Sequence, residues 1–350
     1  MCKKSLIISL NYNPGHFSHL IANYKLLEEI GYEPTLYIHD SFNKMDALNE
    51  FRKINNISKT DEIEVAIFWF PSLKNILTLL KLKIKFKTKI IYVYHEPFES
   101  FKKYYLAGFG ILKILKIYLI NLVNKMTAFS ADTIILPSQA AFNLYKSKSQ
   151  KINSNFILIP LIFTDELENR IENKIYISYI GTIAEDHAFK NFIDFIIISI
   201  KQNWLINFVF LIATRSNLPK IDADRLKPYF DSKRLTIIDG KYLSNVEINK
   251  YYNSSLVVWN AYNRSMQSGV LPKAYMFGTA VIIQRKNRNE FVEDHKTCVL
   301  INDNSDSVEI KEAIEEIILN RDDFQKNCRN KFLSTFHYRV RINEFKKIVP

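Results

Sequence analysis

Short apolar segments alternate along the chain with longer segments in which apolar and polar residues are mixed. In the first part of the chain these apolar segments lack polar alternation, which predicts strands of a parallel sheet covered on both faces. Between them, apolar residues recur at helical spacing, as in residues 17–30 just before Gly31. The predicted strands are residues 5–10, 35–38, 65–70, 90–94 and 133–136.

A second series of the same kind begins near Tyr176. Its predicted strands are residues 177–180, 208–213, 235–238, 256–259 and 280–283, with helices at 191–199, 245–252, 308–320 and 338–348. Two such series in 350 residues favour two domains over one. We expect a first domain over residues 1–165, a second over 166–335, and a C-terminal helix in 336–350 that packs back toward the first domain.

The composition indicates a protein with a substantial core, because 47% of the residues are hydrophobic. The three cysteines show no metal-ligand spacing, so we expect reduced thiols and no metal site. Residues 1–4 lead directly into the first predicted strand, and we therefore expect no signal peptide. Together these features favour a cytoplasmic protein.

Positive charge is concentrated in residues 71–130, where eleven lysines stand against two glutamates, while the whole chain carries +12. Residues 104–126 are mostly apolar, but Lys113 and Lys116 make a membrane span costly. On a helical wheel these lysines and Lys125 share one half with two asparagines. This pattern predicts a basic helix in the interface of the inner membrane. The alternative is a core helix whose lysines reach outward. Nucleic-acid binding is disfavoured, because no recognition motif accompanies the lysines.

Residues 263–300 contain two of only eight glycines. Ser268 and Gly269 stand just before an apolar helical segment, and Gly278 stands just before a predicted strand. A small-residue turn that opens a helix presents free backbone N–H groups, which predicts a phosphate site. An ordinary capped helix is the alternative, and Pro272 in the first turn fits it equally well.

Four segments of the second series, residues 179–182, 239–247, 267–282 and 290–299, resemble motifs of the GT-B glycosyltransferases of family 4. The resemblance covers nearly the whole chain. It implies an α/β protein of GT-B fold, with two Rossmann-like doubly wound parallel-sheet domains facing across a cleft. It also implies transfer of a sugar from a nucleotide diphosphate donor, with no cofactor and no obligatory metal.

The resemblance and the strand-end positions together predict the residues that bind the donor. They are Gly15, Gly181, Thr182, His187, Lys190, Arg215, Gln267, Ser268, Gly269, Val270, Lys273 and Glu290. The chain departs from the family at several of them. Ser265 and Lys273 stand where relatives carry two glutamates, Thr182 replaces an arginine, and His187 stands where a lysine is common.

Two loops of the first domain supply the candidates for contact with the acceptor. Gly15, His16 and His19 follow the first predicted strand, while His95 and Glu96 follow the strand at residues 90–94. We predict that His95, Glu96 and His16 are catalytic. A structural histidine and a carboxylate at a helix N-terminus are the alternatives.

The sequence therefore predicts a bacterial glycosyltransferase, a hexosyltransferase of polysaccharide biosynthesis. It would move a sugar from a UDP- or GDP-sugar to a lipid-linked surface glycan such as O-antigen or capsule. The resemblance implies retention of anomeric configuration, and a peripheral position on the inner membrane face is expected. A homodimer is compatible with the sequence. Two rivals are a GT-B nucleotide-sugar epimerase and a degenerate GT-B subunit that binds a partner transferase.

Overall fold

The chain divides into two compact units, each built on a six-stranded sheet. The computed structural model describes residues 3–45, 48–57, 62–95, 99–106, 108–148, 155–168, 173–264 and 268–350. The first unit comprises residues 1–106, 110–164 and 336–350, and the second comprises residues 107–109 and 165–335.

The first unit has a wholly parallel sheet in the order β2-β1-β3-β4-β5-β6. Its strands are β1 Lys3–Ser9, β2 Tyr32–Ile38, β3 Val65–Phe68, β4 Lys89–Val93, β5 Thr133–Leu136 and β6 Phe156–Leu158. Its helices are α1 Phe17–Glu29, α2 Lys74–Phe86, α3 Phe101–Leu106, α4 Ile111–Ser130, α5 Gln139–Lys148 and, from the chain end, α12 Ile342–Lys346.

The second unit is also wholly parallel, in the order β12-β11-β10-β7-β8-β9. Its strands are β7 Tyr176–Ile180, β8 Val209–Ala213, β9 Leu235–Ile238, β10 Ser255–Trp259, β11 Ala280–Gln284 and β12 Cys298–Ile301. Its helices are α6 Phe189–Lys201, α7 Lys220–Leu226, α8 Asn245–Asn253, α9 Val270–Met276, α10 Ser307–Leu319 and α11 Arg321–Thr335.

The predicted α/β class with parallel sheets is confirmed, and the central strands show why. In β1, Leu6, Ile7 and Ile8 are all fully buried, so both faces of the strand are covered. The strand order reverses direction between β1 and β3 in the first unit and between β7 and β10 in the second. Loops that follow the strands at such a reversal border a crevice, where open α/β sheets bind ligands.

Two predictions of individual elements need correction. Strands β6 and β12, of three and four residues, are absent from the predicted set. The single helix predicted over 338–348 is wrong. Its first residues form a 3-10 turn, Tyr338–Arg341, and only Ile342–Lys346 is α-helical. The reason is that residues 336–338 pair in extended form with Phe163, through the bonds Phe163 N–H to Phe336 C=O and Tyr338 N–H to Phe163 C=O.

Helix α4 is oriented with its asparagines toward the sheet. The Tyr92 hydroxyl of β4 donates to Asn124 Oδ1 at 2.6 Å, and Asn121 and Thr127 are buried on the same side. The outward side carries a long row of exposed apolar residues, namely Leu112, Leu115, Leu119, Leu122, Met126 and Phe129. Amphipathic helices of globular proteins normally turn such a row toward the core. Helix α4 therefore buries a mixed side, which also includes Ile114, Val123 and Ala128, and leaves its longest apolar row exposed.

Helix α2, which packs beside α4, adds a second apolar row. Leu73, Leu77, Leu80 and Ile84 are all exposed and recur at helical spacing along one side of the helix. We call the exposed apolar residues of α2 and α4 the outer apolar surface. None of the helices in the described part of the chain has the length and apolar character needed to cross a membrane.

Lys174 is a buried hydrogen-bond donor at the amino edge of the second sheet. Its side chain is buried, and its Nζ donates to the carbonyl oxygens of Asn253 (3.2 Å) and Phe277 (3.0 Å) and to Thr279 Oγ1 (2.7 Å). These acceptors lie at the ends of α8 and α9, so a single ammonium group holds both helix ends to the sheet.

We expect Lys174→Met to lower the free energy of unfolding by about 2–3 kcal/mol, because it leaves buried carbonyl groups without a charged donor. Urea denaturation of the full chain measures the change. Lys220→Met is the matched control, because Lys220 is exposed and should shift stability by no more than about 0.5 kcal/mol. Equal losses in the two variants would contradict the role given to Lys174.

Candidate functional site

The turn at Gly181 and the segment that contains Gly269 meet where β7 and β10 lie side by side. Gly181 follows β7 with φ +135°, a conformation that side-chain-bearing residues rarely adopt, and its N–H donates to Ala213 C=O at 3.0 Å. A Cβ placed on Gly181 would lie 3.8 Å from Val270 Cγ2. The turn after β7 therefore lies against the first residue of α9.

An aromatic stack lines the same place. The Thr182 carbonyl accepts hydrogen bonds from Tyr179 Oη (2.9 Å) and His187 Nδ1 (2.8 Å), which fixes the His187 ring. That ring stacks on Tyr262 with centroids 4.2 Å apart and planes inclined by 8°. Burial raises the pKa of Tyr262 far above its usual value, so the hydroxyl that bonds the Ser268 side chain stays protonated. The predicted residues Thr182, His187 and Ser268 are thus brought together.

The loop after β10 is tied to the turn after β7 by polar contacts that the sequence did not predict. Asp186 Oδ2 lies 3.6 Å from Arg264 Nη1, and Asn263 N–H donates to Asp186 C=O at 2.8 Å. Both partners of this ion pair are largely buried. Their positions after two predicted strands were a usable signal for Asp186, Tyr262 and Arg264, since residues at strand ends meet at one edge of a parallel sheet.

The two candidate cations Arg215 and Lys190 lie in different surroundings. Arg215 is exposed in the loop after β8, and the adjacent Ser216 Oγ accepts from Ile183 N–H at 3.3 Å, which brings this loop beside Thr182. Lys190 lies on the exposed side of α6. Burial raises the pKa of Asp222 in α7, and the charges of Arg225 and Lys190 oppose that rise only in part.

Lys273 lies in an ion pair that no pattern in the sequence predicts. Its Nζ is 2.7 Å from Glu166 Oε2, and the Asn249 amide donates to the same oxygen at 2.8 Å. The side chains of Lys273 and Glu166 are only 8% and 14% exposed. The charge of Lys273 is therefore balanced by a carboxylate of its own unit, and its role in donor binding stays a prediction.

The remaining donor predictions are only partly covered by the structure. Gly269 immediately precedes α9, and Glu290 is exposed in the segment after β11. Gln267 and Ser265 lie outside the described residues, as does Glu96 of the first unit.

In the first unit, the loops after β1, β3 and β4 bring two predicted histidines together. The rings of His16 and His95 are nearly parallel, with centroids 6.1 Å apart, and Phe70 lies 4.2 Å from the His16 ring. His95 Nε2 donates to the Trp69 carbonyl at 2.9 Å, since a carbonyl oxygen can only accept. The Nδ1 atom of a neutral His95 is consequently left as an acceptor.

Burial lowers the pKa of His95 to about 4, and the hydrogen bond to the Trp69 carbonyl opposes this shift only in part. The ring is therefore neutral near pH 7, and its Nδ1 can accept a hydrogen bond. His19 differs, because it is buried between Trp69 and Phe163 and bonds the Ile162 carbonyl through Nδ1 at 3.0 Å. The Gly15 N–H donates to Asn13 Oδ1 at 3.0 Å. The catalytic roles of His16 and His95 stay predictions.

Comparison with solved structures identifies the fold of this protein. No family model matches the sequence, and no curated protein matches it. Among solved structures, Anabaena HepE in complex with UDP is similar at a TM-score of 0.70 and 10% identity, with 99% of this chain and 98% of that chain covered. Sucrose-phosphate synthase from Thermosynechococcus elongatus is similar at a TM-score of 0.65 and 14% identity, with coverages of 99% and 98%.

A third similar structure comes from Listeria monocytogenes and is described as a UDP-N-acetylglucosamine 2-epimerase. It has a TM-score of 0.63 and 10% identity, with 99% of this chain and 95% of that chain covered. Similarity over nearly complete lengths, in chains built of two parallel-sheet units, shows that this protein has the GT-B fold.

We expect the stability of the protein to fall as the pH is lowered from about 6.5 toward 4, because unfolded chains protonate His95 near pH 6.5 and the folded chain does not. His95→Gln should make this decline shallower. Urea midpoints measured across that pH range test the effect, and an NMR titration of the His95 ring locates its pKa. A ring that titrates near 6.5 in the folded protein would contradict the expectation.

Proposed function

We propose that the protein is a glycosyltransferase that uses a nucleotide diphosphate sugar, UDP- or GDP-linked, as its donor. The observation that carries the proposal is the convergence of Gly181, Thr182, His187 and Ser268 where β7 and β10 adjoin, with Arg215 on the neighbouring loop. The solved structures of HepE with UDP and with UDP-glucose support a nucleotide-sugar ligand for this fold.

The chemistry of transfer accounts for the residue types at this place. The bond between the anomeric carbon and the diphosphate oxygen breaks as the oxygen of the acceptor hydroxyl bonds to that carbon. The departing diphosphate keeps the electron pair, gains negative charge and takes up the hydroxyl proton. Cationic Arg215 and the Ser268 hydroxyl would stabilise that charge, which is the largest catalytic contribution expected in such a reaction. His187 holds the turn after β7 through its bond to the Thr182 carbonyl. Further proposed donor contacts are Lys190, Lys273, Gly269, Val270, Gln267 and Glu290.

We assign acceptor chemistry to the first unit. Through Nδ1, a neutral His95 can accept a hydrogen bond from the attacking hydroxyl and orient it, and His16 lies beside it. Glu96 and Gly15 keep their proposed roles in acceptor and donor contact. Retention of anomeric configuration is proposed from the resemblance to family 4.

Arg215→Gln should weaken UDP binding by roughly tenfold to a hundredfold, the effect of losing a charged contact to phosphate, and leave the affinity for uridine unchanged. Isothermal titration calorimetry with both ligands measures the difference. Arg321→Gln is the control, because Arg321 bonds Asn173 ahead of β7, at the opposite edge of the sheet. If the Arg215 variant binds UDP as tightly as the wild type, Arg215 does not contact the diphosphate.

Turnover separates the transferase from its rivals. The protein is incubated with UDP-, GDP- and dTDP-sugars together with a membrane lipid extract. We expect release of the nucleoside diphosphate that depends on both donor and extract. Isomerisation of the sugar without release would instead identify an epimerase, a candidate that the similarity to the Listeria structure keeps open. Tight binding without any turnover would indicate a non-catalytic subunit.

We further propose that the enzyme works at the inner membrane face on a lipid-linked glycan acceptor. The outer apolar surface supports this proposal, because α4 buries asparagines and exposes leucines. Each apolar side chain that enters the bilayer contributes about 1.5–3 kcal/mol, and each nearby lysine adds about 1 kcal/mol with anionic lipid. Lys113, Lys116 and Lys125 are the proposed headgroup contacts on α4.

Leu119→Glu combined with Leu122→Glu should reduce co-sedimentation with anionic vesicles by at least about tenfold, because charged side chains cannot enter the bilayer. Lys113→Glu with Lys116→Glu should abolish binding at low salt. Leu319→Glu is the control, since Leu319 is 83% exposed on α10 of the second unit. A wild type that forms dimers through α4 and ignores vesicles would show that a second copy covers this surface.

A further inference from the structure

The structure has a lysine-lined recess at the end of α2, on the amino side of the first sheet. It is shallow and largely open to solvent, and it is lined by Lys83, Lys87, Thr88, Lys89 and Asp132. We infer that this recess binds the phosphate group of an anionic lipid headgroup. The inference rests on the proposed membrane association and adds a specific site to it. None of these residues belongs to the proposed donor or acceptor contacts.

The floor of the recess is fixed by internal hydrogen bonds. Asp132 accepts from Ile90 N–H through Oδ2 at 2.7 Å and from Lys83 Nζ through Oδ1 at 3.0 Å. Thr88 is buried, and its hydroxyl donates to the Ile63 carbonyl at 2.8 Å. A phosphate would therefore enter a surface whose polar groups are already held in place.

The charge of the recess is positive and only partly balanced. Among the residues that the structure describes, no carboxylate lies within salt-bridge distance of Lys87 or Lys89. Asp132 balances one of the three lysines, which leaves a net charge of about +2 for a phosphate to neutralise.

Lys87 occupies a backbone position that favours glycine. It ends α2 with φ +52°, and the left-handed conformation costs about 1–2 kcal/mol for a residue with a side chain. The carbonyl groups at the end of α2 attract cations and account for lysines at positions 83 and 87. They do not account for Lys89, which is the first residue of β4 and completes the cluster.

Apolar neighbours favour a lipid over a free anion. Ile84, 82% exposed, directly follows Lys83, and Phe129, 68% exposed, precedes Asp132 by three residues. Both belong to the outer apolar surface. Recess residues that are near neighbours in sequence of exposed apolar residues match the boundary between headgroups and acyl chains in a bilayer, whereas inorganic phosphate would gain nothing from Ile84 and Phe129.

The test compares two lysine pairs near the same helix. Lys87→Gln with Lys89→Gln removes charge from the recess, and Lys81→Gln with Lys85→Gln removes the same charge from the other flank of α2. Binding is measured to vesicles of phosphatidylcholine containing phosphatidylglycerol. We expect the recess pair to weaken binding about tenfold more than the flank pair, because a direct phosphate contact exceeds diffuse attraction. Equal losses would overturn the site.

Two further measurements distinguish a lipid site from a free-anion site and from a purely structural role of the lysines. If the recess pair lowers the affinity for inorganic phosphate but affects vesicle binding no more than the flank pair, the site serves a free anion and the lipid proposal is wrong. If it lowers only the urea midpoint, the lysines stabilise the end of α2 and the site is also overturned.

UDP affinity should be unchanged in both variants, so failure of the lipid site would leave the transferase proposal standing. Absent UDP binding in the wild type would sink that proposal alone.

Discussion

Parallel pairing of every strand is the constraint on which the rest of this structure depends. A parallel neighbour can be reached only by a crossover, so each strand is followed by a loop at one edge and most crossovers carry a helix. The carboxyl edge of each sheet thereby collects residues that are distant in sequence, such as His16 with His95 and Gly181 with Val270. The amino edge collects others, including Lys174 with its carbonyl acceptors.

Much of this arrangement is accessible from the sequence, because long apolar segments and glycine-bearing turns are local signals. The strands that contain Leu6 and Ile282 can be predicted from the apolar residues on either side of them in the sequence. Once the sheet is known to be parallel, the approach of the Gly181 turn to Val270 can be predicted as well. The pairing of Glu166 with Lys273 cannot be predicted, since the residues are 107 positions apart and no pattern links them. The stacking of His187 on Tyr262 needed the same tertiary information.

Helix α4 shows a different limit of sequence reasoning. Its periodicity groups Asn121 and Asn124 with the lysines, but it does not show that the asparagines are buried while Lys113 and Lys116 are exposed. The Tyr92 hydroxyl is buried and needs a polar partner, and Asn124 accepts its hydrogen bond. A hydrogen bond from a neighbouring strand thus helps to set the direction of an entire apolar row.

The exposure of this apolar row also changes which substitutions the helix can accept. Inside a protein core, side chains must fit neighbours of fixed shape, so a change of one methylene group is felt. Leu115, Leu119 and Leu122 of the outer row are each more than half exposed, and fluid acyl chains would adapt to any apolar shape. Leucine, methionine and phenylalanine should therefore be interchangeable on this side, while Asn124 on the inner side is held to one size and one chemistry.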